Sequence, residues 1–314
     1  MSIKTRILAA VDGSSQSLAA VGYLSRVLKA GKFEILLFHV GSGIPDPLWD
    51  ITHDPSSLKE VVMFGEWIGH QKNALFDFME SAHRLFKEAG FPEKDVSIQM
   101  QDLKKGVARD ILDKAREGFE AVVVGQTGHS IMKELFMGGI ANKLLSAMSN
   151  VTLCLVAGEP VGRNFLAALD PSEGSARVIS RLASLSAGGD REVTLFHAVR
   201  RLEIRTSIPE LIEAAKIAEM NLLEEDRRIM SPAMNAARNA LIEAGIEEKK
   251  ITTLIASGIS SRSEAIVKAA RDQGCPSIFI GRRGLSEPND FSLGGVAAKT
   301  VYLAKDAAVW VVSQ

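Results

Sequence analysis

The sequence Ile-Leu-Ala-Ala-Val-Asp-Gly-Ser at residues 7–14 returns as Phe-Leu-Ala-Ala-Leu-Asp-Pro-Ser at residues 165–172. Four further matches follow in the same order at a nearly constant offset: residues 36–40 with 194–199, 88–90 with 243–245, 124–128 with 280–284, and 137–143 with 293–299. Ordered matches of this kind indicate a duplicated unit. The chain of 314 residues is also about twice the usual domain length. We therefore predict one domain at residues 1–158 and a second at residues 163–314, joined by a short turn-prone connector.

Within each copy, short apolar runs alternate with longer segments of helical period, which is the pattern of β-α-β units. Strands are predicted at residues 6–11, 33–40, 96–101, 121–124 and 152–156, and in the second copy at 164–169, 192–199, 251–256, 277–280 and 309–312. Helices are predicted between them, in the first copy at residues 15–30, 66–89, 107–116 and 139–147. The fold class is α/β: two tandem Rossmann-like domains, each an open five-stranded parallel sheet with helices on both faces.

Glycines follow the fourth predicted strand of each copy, at the edge where such sheets bind ligands. The first copy has Gly125-x-x-Gly128, nine residues, and then Gly138-Gly139 at the start of a helix. The second copy has Gly281-x-x-Gly284, nine residues, and Gly294-Gly295. Glycine permits close backbone approach, and the amides of a helix N-terminus attract anions, so the pattern suits a phosphate cradle. The same glycines would also serve tight strand-to-helix turns, and both interpretations stay open.

An aspartate ends the first predicted strand of each copy, Asp12 in one and Asp170 in the other. This strand is expected beside the fourth one across the point where the winding of the sheet reverses. A carboxylate there can accept hydrogen bonds from a sugar hydroxyl or a base. It can also hold the turn, because Asp-Gly-Ser and Asp-Pro-Ser are both favourable turn sequences. The two roles are compatible.

These features together resemble the universal stress protein family, and the resemblance covers nearly the whole chain in two tandem copies. It implies an adenine nucleotide alpha hydrolase-like fold and a G-2x-G-9x-G-Ser/Thr motif that marks ATP-binding members. It also implies that the final strands of the two domains pair, so that the chain forms an intramolecular pseudo-dimer. The residues that it assigns to the nucleotide are Asp12, Val40, Gly125, Thr127, Gly128, Gly138, Gly139 and Ile140 in copy 1, and Asp170, Val199, Gly281, Arg283, Gly284, Gly294, Gly295 and Val296 in copy 2.

Both copies depart from the family motif at the phosphate. Gly139 and Gly295 stand where the motif has Ser or Thr, so the amide is kept and a hydroxyl is lost. A lost hydrogen bond to a charged phosphate costs about 1.5 to 3 kcal/mol, or about ten- to a hundredfold in affinity. We expect weakened binding of ATP or another adenine nucleotide, with magnesium only if a polyphosphate is bound. In copy 2, Arg282 and Arg283 offer positive charge to a phosphate, but the acidic residues Glu287 and Asp290 follow in the same loop. The loop of copy 1 instead carries His129 and Lys133. Loop charge therefore does not rank the two pockets by affinity for phosphate.

Composition argues against several functional classes. The net charge of −1 provides no basic surface for nucleic acid or an anionic membrane. The first apolar run ends at Asp12 and is too short for a signal peptide, so we expect a cytoplasmic protein. Cys154 and Cys275 lie in or beside apolar runs, and we expect inert core thiols.

No catalytic set stands out, and we predict that the protein is not an enzyme and holds no metal. The sequence has neither a Walker motif nor a G-x-S-x-G elbow. His39 and His197 are repeat equivalents at strand ends, for which we expect a structural role. The other histidines lack metal-ligand spacing; they are His53, His70, His83 and His129. Any ATP hydrolysis is expected to be slow and incidental.

Two further interpretations stay open. The long segment at residues 41–65 suits a lid, a partner-binding surface or a segment that wraps its own domain. The apolar final strand of each copy is a sheet edge that needs covering, which suits an interaction protein with empty pockets, an unknown protein partner or a homodimer.

Overall fold

The computed structural model describes residues 4–41, 58–128, 137–186, 190–202, 208–284 and 293–313. Copy 1 contains strands β1 (Thr5–Ala10), β2 (Phe33–Gly41), β3 (Val96–Asp102), β4 (Ala121–Gly125) and β5 (Thr152–Val156), and helices α1 (Ser15–Val27), α2 (Leu58–Glu88), α3 (Val107–Ala115) and α4 (Gly139–Ala147). Copy 2 contains β6 (Phe165–Ala168), β7 (Val193–Arg200), β8 (Ile251–Ile259), β9 (Ser277–Gly281) and β10 (Ala308–Val312), and helices α5 (Glu173–Ser186), α6 (Pro209–Glu243), α7 (Arg262–Asp272) and α8 (Gly295–Leu303).

The strands form one ten-stranded sheet in the order β3-β2-β1-β4-β5-β10-β9-β6-β7-β8. Neighbours are parallel within each copy, and β5 pairs with β10 in antiparallel orientation, with Leu155 opposite Val309. The predicted five-stranded parallel sheets and the pairing of the final strands are both confirmed. The winding reverses between β1 and β4 and between β6 and β9, so a ligand site is expected beyond the carboxyl ends of these strands.

Helices cover both faces of the sheet, as predicted. Successive strand residues face opposite sides, so Ile7 belongs to one core and Leu8 to the other. Helices α1, α2, α5 and α6 pack on the first face, and α3, α4, α7 and α8 pack on the second. Each core contains residues of both copies, and the duplicated domains are therefore packed as one body around the β5–β10 junction.

Helix α2 begins at Leu58 and not at the predicted residue 66. Gly65 suggested the end of a loop, but one glycine costs a helix only about 1 kcal/mol relative to alanine. The Pro-Ser-Ser sequence at residues 55–57 is an ordinary helix-start signal that the prediction passed over. The last part of the predicted long segment is thus helical, and residues 42–57 lie outside the described residues.

Serine side chains cap the starts of two helices. Ser14 accepts a hydrogen bond from the backbone N–H of Ser17, and Ser261 accepts one from the N–H of Glu264. Among the described helices, none combines the length and the apolar character that crossing a membrane requires.

Candidate functional site

The two strand-end aspartates hold the turns that follow them. Asp12 Oδ1 accepts hydrogen bonds from Ser14 N at 3.0 Å and Ser14 Oγ at 2.6 Å. Asp170 Oδ1 likewise accepts from Ser172 N at 3.1 Å, from Ser172 Oγ at 2.5 Å and from Ser175 Oγ at 3.2 Å. The predicted turn role is confirmed in both copies, and it occupies one oxygen of each carboxylate.

The other carboxylate oxygen lies against the glycine loop. A Cβ atom placed on Gly128 would lie 2.7 Å from Asp12 Oδ2, and one on Gly284 would lie 2.6 Å from Asp170 Oδ2. Cβ atoms do not approach other atoms so closely, so the last position of each G-x-x-G sequence must be glycine while the aspartate keeps this place. The first and fourth strands of each copy therefore bring the carboxylate and the loop together at the switch point.

The loop is joined to the helix that follows it by one backbone hydrogen bond. Gly138 N donates to Gln126 O at 2.8 Å, and Gly294 N donates to Arg282 O at 2.9 Å. These bonds place the start of α4 and of α8 beside the corresponding loop. A Cβ on Gly138 would lie 3.5 Å from Gly128 N and 3.6 Å from Thr127 Cα, so this glycine too permits close approach.

Gly139 and Gly295 differ from the other site glycines. A Cβ on either of them would meet no heavy atom within 4 Å, and both residues are exposed. Steric crowding therefore does not explain the absence of the family's Ser or Thr here. The amides at these positions belong to the first turn of α4 and of α8, where helix N–H groups attract anions.

In copy 2 these parts surround a cavity of about 330 Å³. This volume falls within the range of about 300 to 1,000 Å³ that is typical of small-molecule sites. Most of the residues predicted for copy 2 line it, namely Asp170, Gly281, Arg283, Gly284, Gly294, Gly295 and Val296. The geometry thus joins a strand-end carboxylate, a glycine loop and a helix N-terminus in one concave site.

Val199 does not line this cavity, and Ala198 takes the expected place. Phe38 of β2 pairs with Ala10, and Phe196 of β7 pairs with the equivalent Ala168, so the two phenylalanines are counterparts. Two residues further along each strand, the counterpart of Val40 is therefore Ala198. The prediction was therefore one residue out of register. The register of β7 against β8 shifts between Ala198 and Arg200, an irregularity that the sequence match did not reveal.

In copy 1 the strand-end aspartate, the glycine loop and the start of α4 are arranged as in copy 2. Val40 is buried at the end of β2 opposite Gln101, and Ile140 packs against the second core at the start of α4. Gly125 lies close to Gln16, since a Cβ there would be 2.9 Å from Gln16 Cγ. His129 and Lys133, like Glu287 and Asp290 in copy 2, lie outside the described residues.

The polar residues of the copy 2 cavity that were not predicted as site residues include Ser175, His197, Asp226 and Arg262. His197 Nδ1 donates to Leu169 O at 2.8 Å, since a carbonyl can only accept, and its Nε2 lies 2.8 Å from Asp226 Oδ2. These contacts join the ring to the residue that follows β6 and to α6, and that the histidine takes no part in catalysis stays a prediction. Asp226 comes from the middle of α6, and nothing in the local sequence pointed to the cavity.

Arg282 does not face the cavity with its charge as expected. It is only 2% exposed, and its Nη2 donates to Leu145 O at 2.7 Å and Ser146 O at 3.0 Å, both in copy 1. Both loop arginines line the cavity, and the contact of Arg283 with a phosphate stays a prediction. Arg262 adds a further cation to the cavity wall, with Nε 3.3 Å from Ala198 O.

Both cysteines are free and buried, as predicted. Burial raises the pKa of the Cys275 thiol to about 11 and raises the pKa of Cys154 well above its ordinary value. Thiols in this state are protonated near neutral pH and are poor nucleophiles. Among the residues that the structure describes, no three His, Cys, Asp or Glu side chains are arranged so that they could hold a metal ion.

Comparison with solved structures yields universal stress proteins. The chain is similar to one from Archaeoglobus fulgidus DSM 4304, with 16% identity, a TM-score of 0.62 and 98% of both chains covered. It is also similar to a putative one from Pseudomonas aeruginosa UCBPP-PA14, with 14% identity, a TM-score of 0.57, and 99% of this chain and 93% of that chain covered. A universal stress protein in complex with cAMP matches 48% of this chain and 94% of its own, with 19% identity and a TM-score of 0.31.

No curated protein sequence matches the chain. The similarities to solved structures show the fold. The model of the universal stress protein family matches residues 4–153 and again residues 162–313, which together make up most of the sequence. On these two matches, the chain belongs to the universal stress protein family and carries two of its domains in tandem.

Proposed function

We propose that the protein is a stress-response sensor or regulatory module that binds an adenine nucleotide, ATP or AMP, without committed catalysis. The observation that carries the proposal is the copy 2 cavity, where Asp170, the 281–284 loop and the start of α8 meet around about 330 Å³. The close approach of Gly284 to Asp170 supports it, because the loop is shaped around that carboxylate.

The chemistry of the donors and acceptors suits a nucleotide. Asp170 Oδ2 is available to a ribose hydroxyl at the strand end, while Oδ1 holds the turn. The amides at the start of α8 and the guanidinium of Arg283 suit a phosphate, which both the helix dipole and the positive charge attract. Magnesium would enter only with a bound polyphosphate, whose oxygens would supply its ligands.

The test is to identify by mass spectrometry any small molecule released from the purified protein, followed by calorimetry with ATP, ADP, AMP and cAMP. We expect binding that weakens at least tenfold in Gly284→Val, because the added side chain meets the carboxylate of Asp170. The matched control is Gly69→Val in α2, where a Cβ meets no heavy atom within 4 Å. Absence of binding by all four nucleotides at millimolar concentration would refute the proposal.

Two other functions make different predictions in the same experiment. An interaction protein with degenerate pockets would bind none of the nucleotides, and its unknown protein partner would become the question. An ATPase would release phosphate at more than about 1 per second, the lower end of ordinary enzyme turnover. We expect slower, incidental hydrolysis, and we propose a cytoplasmic location.

A further inference from the structure

The residue after the first glycine of each G-x-x-G loop is buried and is joined to both copies. These linking residues are Gln126 in copy 1, which is 7% exposed, and Arg282 in copy 2, which is 2% exposed. They are equivalent in the repeat, since each follows the glycine that ends β4 or β9.

Within its own copy, each linking residue fastens the loop through its backbone. Gln126 N donates to Val156 O at 2.7 Å, and Gln126 O accepts from Gly138 N at the start of α4. Arg282 N donates to Val312 O at 2.9 Å, and Arg282 O accepts from Gly294 N at the start of α8. Each linking residue is therefore fixed to the N-terminal end of the helix that belongs to its own pocket.

The side chain of each linking residue crosses to the other copy and reaches the opposite end of the other pocket's helix. Gln126 Nε2 donates to Val301 O in the last turn of α8 at 2.8 Å. Arg282 Nη2 donates to Leu145 O and Ser146 O in the last turn of α4 at 2.7 and 3.0 Å. Carbonyls in a last turn have no intrahelical partner, so these side chains supply acceptors with the donors that they lack.

The contacts form a closed ring of two helices and two linking residues. Gln126 joins the start of α4 to the end of α8, and Arg282 joins the start of α8 to the end of α4. A helix of nine residues is a rigid element about 13 Å long, so movement at one end is transmitted to the other.

We propose that Gln126 and Arg282 couple the two pockets, so that the affinity of one pocket depends on the linking residue contributed by the other. The proposal rests on the proposed nucleotide function and assigns a regulation to it. A ligand that draws the start of α4 toward its phosphate pulls on Arg282 and thereby on the loop of the second pocket. Conversely, when α4 lacks the hydrogen bonds from Arg282, it is less ordered before binding. Part of the free energy of nucleotide binding is then spent on ordering the helix, and the affinity falls.

The two links are unequal. Arg282 places a positive charge at the negative end of the α4 dipole and bonds two carbonyls, whereas Gln126 is neutral and bonds one. We therefore expect removal of Arg282 to weaken copy 1 more than removal of Gln126 weakens copy 2.

The experiment measures ATP binding by calorimetry in a protein with one pocket closed. Gly295→Glu closes copy 2, because its carboxylate repels phosphate at the start of α8 and its Cβ meets no heavy atom within 4 Å. In this background we expect Arg282→Met, which keeps bulk but loses the donors, to weaken ATP binding at copy 1 at least about fivefold, the lower end of usual couplings. Arg282→Gln keeps one donor, as in copy 1, and should give an intermediate affinity.

The matched control is Arg181→Met, which removes the 2.6 Å ion pair between Arg181 and Glu120 across the copies; among the described residues, no side-chain hydrogen bond or ion pair joins Arg181 to α4 or α8. It should change the affinity less than twofold.

Hydrogen exchange provides a readout without nucleotide: Arg282→Met should speed exchange of the α4 amides, and Arg181→Met should not. Equal affinities with and without Arg282→Met, or unchanged exchange in α4, would overturn the coupling. If the Gly295→Glu protein and the wild type both bind no nucleotide, the proposed function fails, and exchange in α4 alone decides whether the link exists.

Discussion

At the scale of single residues, Gly295 occupies the backbone position that the family motif predicts but lacks the side chain. The family motif predicts a hydroxyl-bearing residue here, and the structure leaves room for one, since a Cβ meets no heavy atom within 4 Å. We expect Gly295→Ser to strengthen ATP binding at copy 2 about ten- to a hundredfold, by a hydrogen bond of about 1.5 to 3 kcal/mol to a charged phosphate. Calorimetry checks this against Gly295→Ala, which adds the Cβ without the hydroxyl. Equal affinities of the Ser and Ala variants would contradict the role of the hydroxyl.

Residue identity predicted the backbone of the site better than its side chains. The spacing of Gly128 and Gly284 implied close approach, and the structure shows what approaches, a carboxylate oxygen of the preceding aspartate. Arg282 could not be placed from sequence, because its partners are carbonyls 136 and 137 positions away in the other copy. Val199 was misassigned because the sequence match paired valine with valine across a one-residue gap, whereas the strand register makes Ala198 the counterpart of Val40, and neighbouring side chains alternate between faces.

At the scale of elements, α6 shows how a long helix is joined to a pocket. The first half of this helix is largely exposed. Its residue Asp226 contacts Nε2 of His197, which is buried at the cavity wall. We expect Asp226→Ala to speed hydrogen exchange in the α6 amides before residue 226, because His197 Nε2 loses its partner in α6. The control is Glu225→Ala on the same helix, where the carboxylate bonds only the exposed Arg228 among described residues. Similar exchange in both variants would show that Asp226 does not hold the helix.

Element type was readable from the sequence, whereas helix length was not. The alternation of apolar runs and helical periods predicted each of the ten strands in the described part of the chain, because buried parallel strands are short and apolar. Helix α2 extends eight residues further toward the N-terminus than predicted, from 66 back to 58, since propensity penalises a single glycine only weakly. The contact of Asp226 with His197 depends on how far α6 reaches along the sheet, which local patterns do not encode.

At the scale of the whole molecule, the copies are joined by a buried hydrogen-bond chain that the repeat does not duplicate. Trp310 Nε1 of copy 2 donates to Tyr23 Oη of copy 1 at 2.7 Å, and Tyr23 Oη lies 2.7 Å from Ser277 Oγ. In the β5–β10 pair, the residue of copy 1 that lies opposite Trp310 is Cys154, so the two strands of the junction carry different side chains at this position. This asymmetry favours pairing of copy 1 with copy 2 over pairing of like copies, because two identical halves would leave Tyr23 or Trp310 without its partner.

Tyr23→Phe tests how much this junction contributes. We expect the free energy of unfolding to fall by about 1 to 3 kcal/mol, because the indole N–H of Trp310 is left buried without an acceptor. Tyr302→Phe, at an exposed tyrosine, is the matched control and should have little effect.

Burial also raises the pKa of Tyr23 above its ordinary value of about 10. The folded protein therefore keeps the tyrosine proton at a pH where the unfolded chain loses it. Above about pH 10 the wild type should lose up to about 1.4 kcal/mol per pH unit through this group, whereas Tyr23→Phe should not. The gap between the two proteins in urea unfolding should consequently narrow from pH 10 to pH 11, and a constant gap would show that Tyr23 ionises as readily in the folded protein as in the unfolded chain.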